Sequence, residues 1–462
     1  MKIRFRRTDF GAAVLGAFLC MVILFLITLY RDGGELHQES AIFMMNYLDG
    51  RPLLATVIDP YNNDLSMYQA RELSYFFDYL DAHFVAFLMK KHIVWFFSLC
   101  SLCLCGLMIF CQQYFTRKLF PKIPGLMVTA FSVLFVLSAA VNGLNYFRCA
   151  KYLTALGLWC AFFAGYAAYR FGTPGSRICF LLSLLLMILS DRQGFFFAAA
   201  TCGTAGLLML YLTWKHTAAA ARRMRFIVVG TFAMTAAGIV NNLWLTPAAV
   251  ARLNGYHPNF AYQREIVFEA KNLLDGLLFF FSNAGNWFTD WPGSTGTAAL
   301  LGALLTGALA WELAAEHRKG KRRAIPLALL WLCAIGAIVV CAAGMAARHP
   351  AIMQPEVIYS AYALPALVIC FALLTLTAAG GTKRFPRILL CLLLAGTALR
   401  LGTELCVSRF SGDSRIFQGY NRGQPVLKRA IREPGFNEEK YCMPHRMELF
   451  LEFYRKRLLQ NR

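Results

Sequence analysis

The sequence predicts an all-α protein built as a polytopic bundle of transmembrane helices. Of its 462 residues, 58% are hydrophobic and only 15% are charged, and the mean hydropathy is +0.50. A soluble globule of this length needs more polar surface than this composition supplies. The apolar runs give about 11 spans of a hydrocarbon core that is about 30 Å thick. They lie near 10–30, 93–113, 123–141, 152–170, 178–190, 194–213, 225–245, 296–315, 326–347, 357–379 and 388–407.

The first apolar runs set the expected orientation of the chain. The 10–30 run carries no charge, follows MKIRFRR and lacks a small-residue cleavage site, so we expect an uncleaved span and a cytoplasmic amino terminus. SDRQG at 190–194 interrupts the long stretch 178–213, which predicts a hairpin with Asp191 and Arg192 at its tip. The connections then expected in the cytoplasm are rich in Lys and Arg, as the positive-inside rule requires. They are TRKLFPK, YRFGTPGSR, WKHTAAAARRMR, EHRKGKRR and GTKRFPR.

Charge and motifs narrow the classes of function. The net charge of +21 comes largely from these connections and from MKIRFRR, which face an anionic leaflet, so we expect the lipid bilayer and no nucleic acid as a partner. Walker, HExxH, GxSxG and dinucleotide motifs are absent from any usable context, which gives no support to nucleotide hydrolysis or zinc proteolysis.

The remaining polar segments are expected on the outer face of a cell membrane. They are the loop 31–91, a short loop near 142–151, the SDRQG tip, the loop 246–295, the turn ARHPAIMQPE and the tail from Ser408. We divide the chain into a transmembrane bundle, 1–407, and a small helical appendage, 408–462, placed outside the cytoplasm. The tail has twelve Lys or Arg against six Asp or Glu, but charge in a long polar segment is a poor indicator of sidedness.

The first outer loop holds nine of the 25 acidic residues, which points to a site. Apolar spacing predicts two amphipathic helices on the membrane surface, one over 38–48 and one over 66–89, separated by the turn DPYNND. In the second helix we expect the apolar face to be opposed by Arg71, Glu72, Asp78 and Asp81. Together the two helices would roof a cavity suited to a substrate with a lipid tail and a polar head.

The first acids after the first span are the catalytic candidates. Asp32 or Glu35 lies at the depth of a lipid-linked donor, and a carboxylate there suits a general base for an attacking sugar hydroxyl. Gly33 and Gly34 let the backbone approach a ligand closely. Glu39, one turn beyond Glu35, would bind a divalent cation such as Mg²⁺ or Mn²⁺ with it, or would simply face water. The alternative for Asp32 is a marker of the membrane exit.

Substrate contacts are expected from a further acid and from several cations on the outer side. Arg71, Arg192, Arg348 and His349 are candidates for binding a lipid phosphate, since an arginine near the membrane is costly unless it meets an anion. Asp59 lies in the turn between the two surface helices. The alternatives are turn capping for Asp59, a local pair with Asp191 for Arg192, and extension of Arg348 to the headgroups.

The layout resembles the GT-C class of membrane glycosyltransferases. The residues that carry the resemblance are Arg31-Asp32-Gly33-Gly34-Glu35 after the first span, the surface helices at 38–48 and 66–89, and RHPAIMQPEVIYSAYALP at 348–365. Members of that class use a sugar linked to a polyprenyl phosphate or pyrophosphate and transfer it outside the cytoplasm. The resemblance implies Asp32 or Glu35 as the base and Arg348 as a contact of the donor phosphate.

We therefore expect an inverting transferase that moves a sugar from a polyprenyl-phosphate-linked donor to a surface glycan, lipid or protein. A polysaccharide polymerase or ligase is an alternative in the same chemistry, although its main outer loop is usually late in the chain. A transporter or flippase of lipid-linked sugars is the alternative of another class, and it would show an internal repeat and broken or charged helices at mid-membrane.

Overall fold

A computed structural model describes the chain in ranges, with the longest ones in its first half and at its carboxyl end. The described residues are 7–30, 32–34, 36, 38–62, 70–119, 121, 124–130, 132–133, 149–214, 218–258, 311, 314, 318, 388, 391, 394–395, 398–399, 402, 423–433, 435–438, 441 and 443–459. Within them every regular element is a helix, which confirms the predicted all-α class.

The helices are numbered in chain order. The first loop contributes three of them and the tail two. They are α1 (Arg7–Tyr30), α2 (Gln38–Tyr47), α3 (Leu53–Ile58), α4 (Glu72–Met89), α5 (Leu99–Leu119), α6 (Ala150–Phe171), α7 (Pro174–Ser190), α8 (Arg192–Trp214), α9 (Ala218–Val240), α10 (Thr246–Asn254), α11 (Gln424–Arg432) and α12 (His445–Phe453). A π-helical segment, Asn241–Leu245, joins α9 to α10, and another, Tyr454–Leu459, extends α12.

Four stretches of the described helices are long and apolar enough to cross a membrane, which indicates a multi-pass membrane protein. They are Asp9–Ile27, Leu99–Leu119, Tyr152–Phe171 and Ala218–Asn254. The apolar helix α7 is shorter, and with α8 it forms the hairpin predicted around Asp191. Almost the whole of the predicted spans over 296–379 lies outside the described residues, so the total of about 11 stays a prediction.

Two spans differ in extent from the apolar runs. The helix predicted from residue 93 begins only at Leu99, because the Ser98 hydroxyl accepts a hydrogen bond from the Ser101 amide at 2.9 Å and caps it. The helix predicted to end at 245 continues to Asn254, so the first part of the expected loop 246–295 is helical. At 1.5 Å per residue its 37 residues measure about 55 Å, which exceeds a hydrocarbon core.

Helix α4 packs on the bundle with its acidic face and exposes apolar side chains on the opposite one. Asp78 and Asp81 are buried, whereas Phe76, Leu80 and Phe87 are exposed. The sequence predicts these two faces but not which of them packs on the bundle. The reason is that the two carboxylates bind helix ends of the bundle, while large apolar side chains on the outer face suit a helix that meets lipid.

The tail packs on the first loop and shares an apolar core with it. From the loop this core takes residues of α2, α4 and the segment after α4, and from the tail it takes residues of α11, α12 and the turn after it. Its members include Phe43, Met44, Tyr47, Tyr75, Met89, Phe96, Leu427, Ile431, Met447, Phe450 and Tyr454. The side-chain amide of Gln424 both accepts from the Leu36 amide and donates to the Leu36 carbonyl. The Tyr454 hydroxyl donates to the Met89 carbonyl at 3.0 Å.

Segments predicted to lie outside meet at one end of the bundle. The Ser74 hydroxyl donates to the Ser190 carbonyl at 2.6 Å, which joins α4 to the α7–α8 hairpin. Elsewhere Arg223 donates to the Arg170 carbonyl at 3.1 Å, so two of the basic connections also lie together. Both groupings agree with the expected alternation of the described spans. Which end faces the cytoplasm stays a prediction from the positive-inside rule.

The chain bends back on itself at the exit of α1. Asp32, Gly33 and Gly34 all have positive φ, and the Gly33 carbonyl accepts a hydrogen bond from the Phe96 amide at 2.8 Å. A Cβ atom at Gly33 would overlap the carbonyl oxygen of Val94. Gly33 thus permits a close approach to the backbone of the segment Val94–Phe96.

Replacing Gly33 tests this close approach. Gly50 offers a matched control, because its φ is also positive (90°) but a Cβ there meets open space. Gly50→Ala carries only the left-handed backbone cost of about 1–2 kcal/mol. Gly33→Ala adds the overlap with Val94, and we expect a total of about 3 kcal/mol or more. The measurement is the thermal unfolding midpoint of both variants in detergent, and equal midpoints would contradict the packing at Gly33.

Candidate functional site

The polar residues of the first loop lie where this loop meets four other parts of the chain. We call this end of the bundle the loop face. It comprises the described residues of 32–98, Cys149, the α7–α8 junction at 190–191, the region 241–258 and the described residues of the tail from 423. Helices α2 and α4 lie within the two stretches predicted as surface helices, 38–48 and 66–89, with the short helix α3 between them.

Asp32, a predicted base, stands beside two cations of the tail. Its carboxylate pairs with the guanidinium of Arg432, and the Lys428 Nζ lies 3.8 Å from its Oδ2. The Asp32 side chain is 57% exposed, whereas that of Lys428 is only 10% exposed. One acid and two cations thus meet directly after the first span. The sequence analysis did not foresee the cations, because they come from α11, about 400 residues further along the chain.

Arg71, a predicted substrate contact, forms a buried ion pair. Its Nη2 lies 3.0 Å from the Oδ1 of Asp191, whose side chain is 1% exposed. Asp191 thus binds the beginning of α4, whereas its pairing with Arg192, an alternative in the sequence analysis, involves a side chain outside the described ones. The pair fixes the first loop to the α7–α8 hairpin, and a charge so deeply buried depends on its partner.

Asp59 binds a residue just beyond the helical stretch Ala218–Asn254. Its carboxylate accepts a hydrogen bond from the Tyr256 hydroxyl at 2.6 Å and one from the Tyr61 amide at 3.0 Å. Burial, and after it the Asp59 carboxylate, raise the pKa of Tyr256 above its usual range, which keeps the phenol a donor. The Asn254 amide donates to the Ala55 carbonyl at 3.1 Å and strengthens the same contact. Asp59 therefore has the local amide contact expected of a turn residue, and Tyr256 is a second partner from a distant part of the chain.

Two further buried acids were not singled out as site residues by the sequence. Asp81 accepts hydrogen bonds from the Ser98 hydroxyl and, at 3.0 Å, from the Cys100 amide, at the start of α5. Asp78 accepts from the Cys149 amide at 2.8 Å, at the start of α6. Both carboxylates meet helix amino termini, where unpaired amides and the helix dipole favour a negative group. Their spacing of three residues on one helix face was the available signal.

Burial raises the pKa of Asp81 above its usual range, and its hydrogen bonds to Ser98 and Cys100 oppose that rise. Desolvation is the larger cause. The carboxyl group therefore binds a proton more readily in the folded protein than in the unfolded chain.

The other predicted site residues are not placed by the structure. Glu35, Arg348 and His349 lie outside the described residues. Glu39 is on α2 and Arg192 begins α8, but the described part of the chain does not include their side chains. Among the residues that are described, Asp32, Asp59 and Arg71 each bind a different element, so these three do not form one cluster.

No metal cluster is present in the part of the chain that the structure describes. No three His, Cys, Asp or Glu residues there lie close enough to hold an ion. The cation site predicted from Glu35 and Glu39 involves a residue outside that part and an undescribed side chain, so it stays a prediction.

Comparison with models of known families, with curated protein sequences and with solved structures finds no match for this chain. The functional argument therefore depends on the residues themselves.

Breaking the ion pair between Arg71 and Asp191 tests whether it holds the first loop against the α7–α8 hairpin. We expect Arg71→Ala to lower the free energy of unfolding by about 3–5 kcal/mol, because the buried Asp191 would lose its ion-pair partner. The double variant Arg71→Met, Asp191→Leu should lose less, since it leaves no buried charge. Denaturant unfolding in detergent measures both. Lys456→Ala, which removes an exposed pair with Glu452, is the control and should cost less than about 1 kcal/mol.

Asp81 predicts a pH dependence of stability with a definite sign. Because its pKa is higher in the folded state than in the unfolded state, its protonation favours folding below the unfolded pKa. That contribution is lost as the pH rises through the folded pKa. The unfolding free energy of the wild type relative to Asp81→Asn should therefore fall as the pH rises above the unfolded-state pKa of about 4. A difference that is constant or grows with pH would contradict the raised pKa.

Proposed function

We propose that the protein is an inverting membrane glycosyltransferase, which moves a sugar from a polyprenyl-phosphate-linked donor to a glycan, lipid or protein acceptor on the outer face. The observation that carries the proposal is the group formed by Asp32, Arg432 and Lys428 at the exit of the first span. Such a transfer needs a base for the acceptor and positive charge for the phosphate, and this group has both.

The chemistry assigns a role to each side chain. Asp32, or Glu35 close behind it, takes the proton of the attacking acceptor hydroxyl as the new glycosidic bond forms. The bond between the anomeric carbon and the phosphate oxygen breaks, and the carrier phosphate leaves with the bonding electrons. Arg432 and Lys428 stabilise the negative charge that develops on that phosphate. The Arg432 guanidinium presents several donors in a plane, which suits a bidentate contact with phosphate.

The position of the group suits a donor held in the bilayer. Asp32 follows α1 within two residues, so its carboxylate lies near the end of the first span. A polyprenyl chain would lie in the lipid while its phosphate reaches this level. Exposed Phe25, Leu26 and Leu29 on the last turns of α1 offer an apolar surface below Asp32.

Two residues of the tail share the phosphate contact that the sequence analysis gave to Arg348. In the resemblance to the GT-C class, Arg348 contacts the donor phosphate. In the proposal, Arg432 and Lys428 share that task from α11, and Arg348 keeps its predicted role. The loop face is then a site closed by both ends of the chain.

Transfer of radiolabelled sugar from polyprenyl-phosphate donors in membranes tests the proposal. We expect Asp32→Asn or Glu35→Gln, whichever removes the base, to lower kcat by about 10²- to 10⁴-fold. Arg432→Ala should lower transfer about tenfold or more, because a charge-assisted contact with the phosphate is lost. Arg429→Ala is the matched control, since Arg429 is exposed on the same helix and pairs with Glu433. It should transfer sugar like the wild type.

A charge exchange separates chemistry from docking of the tail. In Asp32→Arg with Arg432→Asp the ion pair can form again, so the tail should stay protected from proteases. A base moved to the tail should not restore transfer. Full activity in this double variant would show that the pair only anchors the tail, and activity retained in both Asp32→Asn and Glu35→Gln would overturn the proposal.

A further inference from the structure

A second polar site lies on the loop face, in a cleft between α2, α4 and the helical turn that follows α12. The cleft has a volume of about 450 Å³. Its polar lining residues include Asp49, Arg51, His83, Lys90 and Arg457, and its aromatic lining residues include Tyr47, Tyr79 and Phe87. None of these residues belongs to the group around Asp32.

The charge of the cleft is positive. Arg51, Lys90 and Arg457 contribute three cations, and Asp49 is the acid among the lining residues. The Asp49 carboxylate is bound by Arg51, whose Nε lies 2.6 Å from Oδ2. Arg457 donates to the Asp49 carbonyl at 2.9 Å, which holds its exposed side chain at the rim. An excess of positive charge converging on one cavity favours an anion and disfavours a metal ion.

The walls of the cleft are aromatic and apolar. The rings of Tyr47 and Tyr79 meet edge to face at 6.2 Å, and the His83 ring lies against Tyr79 at 4.1 Å. Phe87 forms part of the rim, on the exposed face of α4 that also carries Phe76 and Leu80. The cleft therefore opens beside an apolar surface. An anion attached to an organic group suits these walls better than a bare ion.

We propose that the cleft binds a phosphate ester, with Lys90 and Arg457 as the main contacts of the phosphate. Guanidinium and ammonium groups are the usual protein contacts of phosphate oxygens. The ester is either the headgroup of an anionic lipid, whose chains would lie along Phe76, Leu80 and Phe87, or a soluble sugar phosphate held between the rings. The lipid headgroup and the sugar phosphate would both bind the cations through phosphate oxygens.

The cleft is bordered by the tail, so binding depends on a docked carboxyl end. Arg457 and Leu458 line it from the tail, whereas Lys90 ends α4 and Arg51 follows α2. A phosphate ester bound there would add contacts across the junction of the first loop and the tail. The site acts independently of the proposed transfer chemistry, since Asp32 and Arg432 are not among its lining residues.

Binding to the purified full-length protein tests the proposal. Native mass spectrometry in neutral detergent counts bound dioctanoyl phosphatidic acid, with dioctanoylglycerol as the lipid without phosphate. Calorimetric titration with glycerol 3-phosphate provides the soluble probe. We expect Lys90→Ala and Arg457→Ala each to weaken binding of the phosphate probe about tenfold. Lys456→Ala is the matched control, because Lys456 is exposed, pairs with Glu452 and does not line the cleft.

The two probes distinguish the sources of the ester. Phosphatidic acid that binds without competition from glycerol 3-phosphate would identify a lipid headgroup, and saturable binding of glycerol 3-phosphate alone would identify a soluble ester. No binding of either probe would overturn the proposal. It would also be overturned if Lys456→Ala weakened binding as much as Lys90→Ala. Asp32→Asn should bind the probes like the wild type, so failure here is separable from failure of the transferase proposal.

Discussion

The contact on which the rest of the structure depends joins the carboxylates of α4 to the amino-terminal ends of α5 and α6. A buried helix start exposes amides that must find an acceptor, and near a membrane the supply of water is limited. Asp81 binds the start of α5 and Asp78 the start of α6. The position of α4 follows from these bonds. Its opposite face, with Phe76 and Leu80, is thereby turned away from the bundle.

Helices whose position depends on neighbouring residues could be predicted from the sequence, whereas features that depend on distant contacts could not. The uncharged length of α1, the break at SDRQG and the apolar stripe of α2 are local, and the structure has helices in each place. The start of α5 was misplaced because a capping hydroxyl, Ser98, outweighs the apolar run before it. The face by which α4 packs on the bundle could not be predicted, because hydropathy alone cannot show that a carboxylate will meet a helix end.

In the candidate site, too, single residues could be predicted from the sequence but their distant partners could not. Asp32 was accessible from the sequence, since it is the first acid after a span, but its partners Arg432 and Lys428 lie at the other end of the chain. Arg71 was recognised as a cation near the membrane, but its pairing with Asp191, about 120 positions away, was not foreseen. Spacing within a segment identifies which side chains are unusual. It does not identify which segments meet, and here the pairing decides whether a side chain is available to a substrate.

The shared core of the first loop and the tail has a consequence for how the protein is made. Leu36 is bonded to Gln424, across 388 positions of the chain. The loop is therefore synthesised long before the tail residues that cover its apolar side. Until those residues arrive, the surface around Phe43 and Met44 lacks its cover. A chain that stalls before the tail is made would keep that surface open to chaperones and proteases, so completion of the loop face reports synthesis of the tail.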